Sequence, residues 1–219
     1  MGFKSRLGMA VTGFVLLWSS LAGAQEASRI TVLVIESVDI SSGVLRRAET
    51  EASNIFHEAG IEIEWVNCTR MTGGTGCRTC TALDCYVLHI VATGTTRSDS
   101  VFGEAFLGED GRGKYSDIFF ERVAGAEAVS DMDVGRLLGA VSAHELGHLL
   151  LGTHAHAVAG VMEPIWARDC LRRIGMGSLL FTPGQARLMK ARIGSYRAGA
   201  SPPWARTRNR WAESLIGER

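Results

Sequence analysis

The sequence predicts an α+β fold, and three observations carry that reading. A β-branched run, Ile30-Thr31-Val32-Leu33-Val34-Ile35, has the length and composition of a buried strand. From about Val44 to Ala59, the residues Leu45, Ala48, Ala52, Ile55 and Phe56 recur at three- and four-residue steps, which gives one apolar stripe along a helix. A second long helix is predicted from about Met132 to Leu151, and it carries His144-Glu145-Leu146-Gly147-His148. Between these helices lie further strand-like segments, so the predicted order is β-α-β-β-β-β-α.

The chain opens on Lys4 and Arg6, an apolar run from Leu7 to Trp18, and the small-x-small stretch Ala22-Gly23-Ala24. That order of basic, apolar and small residues predicts a secretory signal peptide over residues 1–24. The run falls short of the ~20 residues of a spanning helix. No Cys follows Leu21-Ala22-Gly23 to carry a lipid anchor. The mature protein is expected to begin near Gln25 and to be exported, secreted or periplasmic. About 195 residues then remain, one domain by size, taken as 25–198 with a loose tail over 199–219. Ser201-Pro202-Pro203 and scattered arginines mark that tail, and Trp204 and Trp211 fall within it. Lys4 and Arg6 leave with the leader, so 21 basic residues face 23 acidic ones. Such a balance carries no nucleic-acid or membrane footprint.

Gly60 is placed to end the first helix. Ile61, Ile63 and Trp65 then alternate with Glu62 and Glu64, as in a half-buried strand. Tyr86 to Ala92 reads as a third strand, in which His89 is taken as a hydrogen-bonded strand residue rather than a ligand. Glycines at 103 and 108 make Phe102 to Glu109 an irregular edge strand, which runs into the turn Asp110-Gly111-Arg112-Gly113. Ser116 to Val123 is expected to be a strand, and Ser130 or Asp131 to cap the long helix. Trp166 to Gly177 reads as irregular. Thr182-Pro183 is an N-cap and first-turn pair that opens a helix through Ile193.

Cysteines stand at 68, 77, 80, 85 and 170. In an exported chain they read first as disulfides, with two bridges stapling the Gly/Thr-rich stretch between Cys68 and Cys85 in one of three pairings. Cys170 is then left over, or it pairs across the domain and leaves another thiol free. A zinc site through Cys77-x-x-Cys80 is the rival reading.

The chemistry is concentrated in the long helix. His144 and His148, four apart, lie one above the other on a single face and can ligate one Zn²⁺. Glu145 is turned about 100° from His144, where it can act as general base on a metal-activated water without entering the coordination shell. His154 and His156 follow, then Gly160-Val161-Met162-Glu163-Pro164.

This segment resembles the metzincin metalloproteases, whose signature is H-E-x-x-H-x-x-G-x-x-H followed by a Met-turn. His154 stands at the third histidine's spacing, Met162 lies eight residues beyond it, and Met162-Glu163-Pro164 is similar to the Met-x-Pro of matrixin-type members. In one respect the chain departs from the pattern: the glycine falls at 152, and Leu151 occupies its usual place. One added helical residue turns the chain exit by about 100°. That turn leaves the third ligand open between two histidines: overall spacing favours His154, His156 follows the glycine by four residues and is its close alternative, and Glu163 is a third candidate.

The resemblance implies a zincin-like mixed twisted sheet, an active-site helix and a small C-terminal helical subdomain. It also implies a zinc cofactor, Glu145 as general base, and Met162 as a hydrophobic floor beneath the metal. A protein or peptide substrate would lie along the edge segment, against Phe102, Gly103 and Ala105. No tyrosine stands two places after Met162, so tyrosine-assisted oxyanion stabilisation is absent. The expected activity is peptide-bond hydrolysis by an exported zinc endopeptidase. The rivals are an exported, disulfide-stapled zinc-binding module without activity, and a zinc hydrolase acting on a non-peptide amide.

Overall fold

The predicted first strand lies inside the sheet, because both of its faces are apolar. In the computed structural model, which describes residues 28–68, 80, 82, 84–94, 101–130 and 132–197, β1 (Ser28–Glu36) is flanked by β2 (Ile61–Cys68) and β3 (Cys85–Val91). The full sheet has five strands in the order β2-β1-β3-β5-β4, with β4 (Gly103–Phe106) at an edge and β5 (Tyr115–Phe119) inside it. β2, β1, β3 and β5 are parallel, and β4 alone runs antiparallel. Ile30, Val32 and Val34 point to one face and join the main core, while Leu33 points to the other with Val87.

Helix α1 (Ser42–Glu58) joins β1 to β2, and its predicted stripe of Leu45, Ala48, Ala52, Ile55 and Phe56 is buried. Ser41 caps it by accepting from Val44 N–H at 3.3 Å. Gly60 follows at φ 73°, a left-handed conformation that favours glycine. α3 (Val134–Leu151) packs on α1 and is buried along nearly its whole length, as expected of a helix apolar on all sides. Its Gly135 and Gly139 lie against the backbone carbonyls of Val44 and Ala48, so the absence of a side chain lets the two helices close.

Three expectations are corrected. The strand predicted to reach Val123 stops at Phe119, and Phe120–Ser130 forms a helix, α2. Alternation ends at Ile118, and the following residues are rich in helix formers such as Glu121, Arg122 and Ala124. The cap of α3 is Asp133, whose side chain accepts from Arg136 N–H at 2.9 Å. Ser130 instead belongs to α2, and Asp131 lies outside the described residues. The segment read as irregular contains α4 (Arg168–Gly175), which buries Cys170 and Ile174, four residues apart, and leaves Arg168 and Arg172 exposed. Its dense arginines hid a two-turn apolar period.

α5 (Pro183–Arg197) opens as predicted, with Thr182 and Gln185 capping each other reciprocally at 2.8 and 3.3 Å. Met189 and Ile193 sink into the core below α3. Buried Arg192 donates to Gly111 O at 2.5 Å and lies beside Gly152, which fixes the end of α3. Cys80 and Cys85 form a disulfide, Cys68 is disulfide-bonded as well, and Cys170 is a free, buried thiol. The leader, Cys77 with its Gly/Thr-rich neighbours, and the tail with Trp204 and Trp211 lie outside the described residues. Among the described residues no helix is long and apolar enough to cross a membrane.

Candidate metal centre

Helical geometry alone stacks His144 and His148, and two backbone carbonyls then aim their rings. His144 Nδ1 donates to Val161 O at 2.7 Å, and His148 Nδ1 donates to Thr153 O at 2.8 Å. A carbonyl can only accept, so both Nδ1 atoms carry the proton and both Nε2 atoms carry a lone pair. Those two nitrogens face each other at 3.1 Å. Lone pairs at that distance repel unless a cation lies between them. Two nitrogens bound to one tetrahedral zinc at about 2.0–2.1 Å stand about 3.3 Å apart, so the spacing fits.

The exit from α3 decides which further histidine joins them. Leu151 continues the helix and Gly152 ends it at φ 70°, with its N–H donating to His148 O at 2.8 Å. The chain then loops back to Gly160, where φ is 87°, and Val161 N–H pairs with Leu180 O at 3.0 Å. Ligand nitrogens of His144, His148 and His156 all lie within 4.8 Å of one another. The His156 ring is 5.3 Å from that of His144 and 4.9 Å from that of His148. His154 is exposed, with its ring 6.2 Å from that of His148, and it lines the same cleft without entering the group. Glu163 is engaged elsewhere: Oε1 accepts from Gly160 N–H at 2.9 Å and Oε2 from the Cys170 thiol at 3.2 Å.

Burial, with a smaller contribution from neighbouring imidazoles, pushes His144 and His148 down to about 4, so both are neutral at pH 7. Burial and the nearby His154 lower His156 as well. Glu145 is buried, and burial together with the Glu104 carboxylate pushes it up to about 8. Its position depends on Gly103 of the edge strand: a Cβ there would stand 2.8 Å from Glu145 Cγ and 2.9 Å from Oε1. Beneath the helix, fully buried Met162 brings its sulfur against Gly147, where an added Cβ would lie 2.6 Å away.

His144, Glu145, His148 and His156 line a cleft of about 240 Å³, walled by Val101 to Ala105 on one side and by Pro164 and Trp166 on the other. Phe119 N–H pairs with Phe102 O at 2.8 Å, and Glu104 stands opposite Asp117 in the ladder. By antiparallel alternation, the backbone groups of Gly103 and Ala105 therefore point away from β5, toward the open edge. Sequence reasoning missed the Val161 and Thr153 carbonyls and the edge-on contact of Trp166 with His144, 5.7 Å between ring centroids. Any residue can supply a carbonyl, so the first two left no signal.

No protein-family model matches this sequence, and no curated protein matches it. Among solved structures the chain is similar to an archaemetzincin from Methanopyrus kandleri, at 14% identity over 78% of this chain and 99% of that one, with a TM-score of 0.48. It is also similar to a zinc-dependent peptidase from Methanocorpusculum labreanum, at 13% identity over 73% of this chain and 99% of that one, with a TM-score of 0.49.

Proposed function

We propose that the chain is an exported zinc-dependent endopeptidase of metzincin type, with His144, His148 and His156 holding the metal and Glu145 as general base. The observation that carries this reading is the pair of Nε2 lone pairs 3.1 Å apart, with a third imidazole beside them and a buried carboxylate on the next helical position. A zinc ion bound there supplies Lewis acidity, polarising the scissile carbonyl and making water a stronger acid.

The remaining work falls to the chain's own groups. The free backbone edge at Gly103 and Ala105 pairs with an extended peptide and lays its scissile bond across the cleft. Glu145 takes a proton from the attacking water and returns it to the leaving amine. Val161 and Thr153 hold the imidazole tautomers, and Met162 forms the floor of a Met-turn under the helix. The leader over 1–24 directs export, and a protein or peptide is the substrate.

Glu145→Gln preserves the shape of the side chain and removes the base. The variant should keep its zinc and lose about 10²–10⁴-fold in turnover of an unstructured protein substrate. Full turnover by the variant would remove Glu145 from this role, and zinc binding without turnover by the wild type would favour an inert binding module.

A further inference from the structure

On the sheet face opposite α1 and α3, three side chains from neighbouring parallel strands meet in a row. Ser37 Oγ lies 2.7 Å from His89 Nε2, and His89 Nδ1 lies 3.2 Å from Asp117 Oδ1. The topology accounts for the meeting. Ile35, His89 and Asp117 are in register across β1, β3 and β5, and Ser37 lies two residues beyond Ile35 on the same face. Ser37 N–H donates to Ile90 O at 2.9 Å, which holds the serine at the end of the ladder.

The direction of the hydrogen bonds follows from the chemistry. The Asp117 carboxylate can only accept, so His89 Nδ1 carries a proton, and in the neutral ring Nε2 then presents a lone pair. The Ser37 hydroxyl therefore donates to that lone pair. This is the arrangement of nucleophile, base and orienting acid that defines a Ser-His-Asp triad wherever it occurs. Ser37 is exposed, and the side chains of His89 and Asp117 are 36% and 31% exposed, so a small molecule can reach all three. Partly buried Ile35, beside His89 on the same face, offers an apolar neighbour for a short aliphatic chain.

We propose that Ser37, His89 and Asp117 form a second, metal-independent nucleophilic site that accepts a short acyl group from an activated ester. Ser37 Oγ bonds to the carbonyl carbon while its proton passes to His89 Nε2. The bond from that carbon to the leaving oxygen breaks, and the leaving oxygen takes the proton from His89. Water then repeats the sequence on the acyl-serine and releases the acid. The site shares no residue with the metal centre, so it stands or falls independently of the zinc reading.

A small alkyl fluorophosphonate tests it on the folded, chelator-treated chain: Oγ–P forms, P–F breaks, and the proton goes to His89. The expected result is one phosphonyl group per chain, mapped to Ser37 by peptide mass, unchanged by metal removal and slowed at least tenfold by Asp117→Asn. Ser37→Ala should abolish the adduct, and mapping on the wild type decides the matter even if that variant folds poorly. No adduct, an adduct on another residue, or labelling of Ser37 no faster than in the urea-unfolded chain would overturn the proposal.

Discussion

Glu145 and the two stacked histidines respond to pH in opposite directions, and that opposition can be measured in the metal-free protein. A carboxyl raised from 4.5 to about 8 binds a proton more tightly in the folded state, so stability falls as pH rises through that window. Histidines lowered from 6.5 to about 4 bind protons less tightly when folded, so stability falls as pH drops from 6.5 toward 4. The metal-free protein should therefore be most stable near the ordinary histidine value of 6.5, and should lose on the order of 2 kcal/mol by pH 8. Thermal unfolding after chelation at pH 5, 6.5 and 8 checks this, and Glu145→Gln should abolish the alkaline decline. Residue identity was the most legible scale in the sequence. His144, Glu145 and His148 announce themselves by spacing, and His89 was read as a hydrogen-bonded strand residue, which its two partners bear out. The choice between His154 and His156 was not legible, because it turns on where the chain travels after Gly152 rather than on residue type.

α3 brings the histidines to the cleft, and its fit depends on glycines whose roles differ. At Gly139 an added Cβ would meet the Ala48 carbonyl oxygen, and backbone cannot yield as a flexible side chain can. Gly139→Ala should therefore cost about 1–3 kcal/mol in denaturant unfolding by forcing α1 and α3 apart. Gly152 has φ 70° and packs against the Arg192 guanidinium. Gly152→Ala should weaken zinc affinity more than tenfold, read by competition with a chromophoric chelator, because the 153–156 segment would leave the helix in a different direction. The helices and strands with a clear period were legible: α1, α5 and four of the strands match their predicted places to within a few residues. α2 and α4 were not. α2 follows a strand with no turn residue between them, and the short apolar repeat of α4 is interrupted by arginines.

Across the whole molecule, β4 sets one wall of the cleft, α3 brings His144, Glu145 and His148 to it, and the loop that follows α3 is tied down by Glu163 to Cys170 of α4 and by Val161 to Leu180. The mixture of strands and helices was legible because their apolar periods differ, whereas the mixed sheet was implied only by the family resemblance and not by any strand pattern. Strand order was not, since β4 reaches the edge by pairing with β5, which follows it in sequence, while β3 pairs with β5 across that excursion. The proposed leader predicts that protein recovered outside the cytoplasm begins near Gln25 on N-terminal sequencing, and recovery with Met1 in place would contradict it. The measurement that bears most directly on the account is the zinc content of the purified mature protein beside His154→Ala and His156→Ala. The account predicts about one zinc per chain in the wild type, retained by His154→Ala and lost by His156→Ala. Loss in His154→Ala with retention in His156→Ala, or no zinc in the wild type after reconstitution at neutral pH, would contradict it.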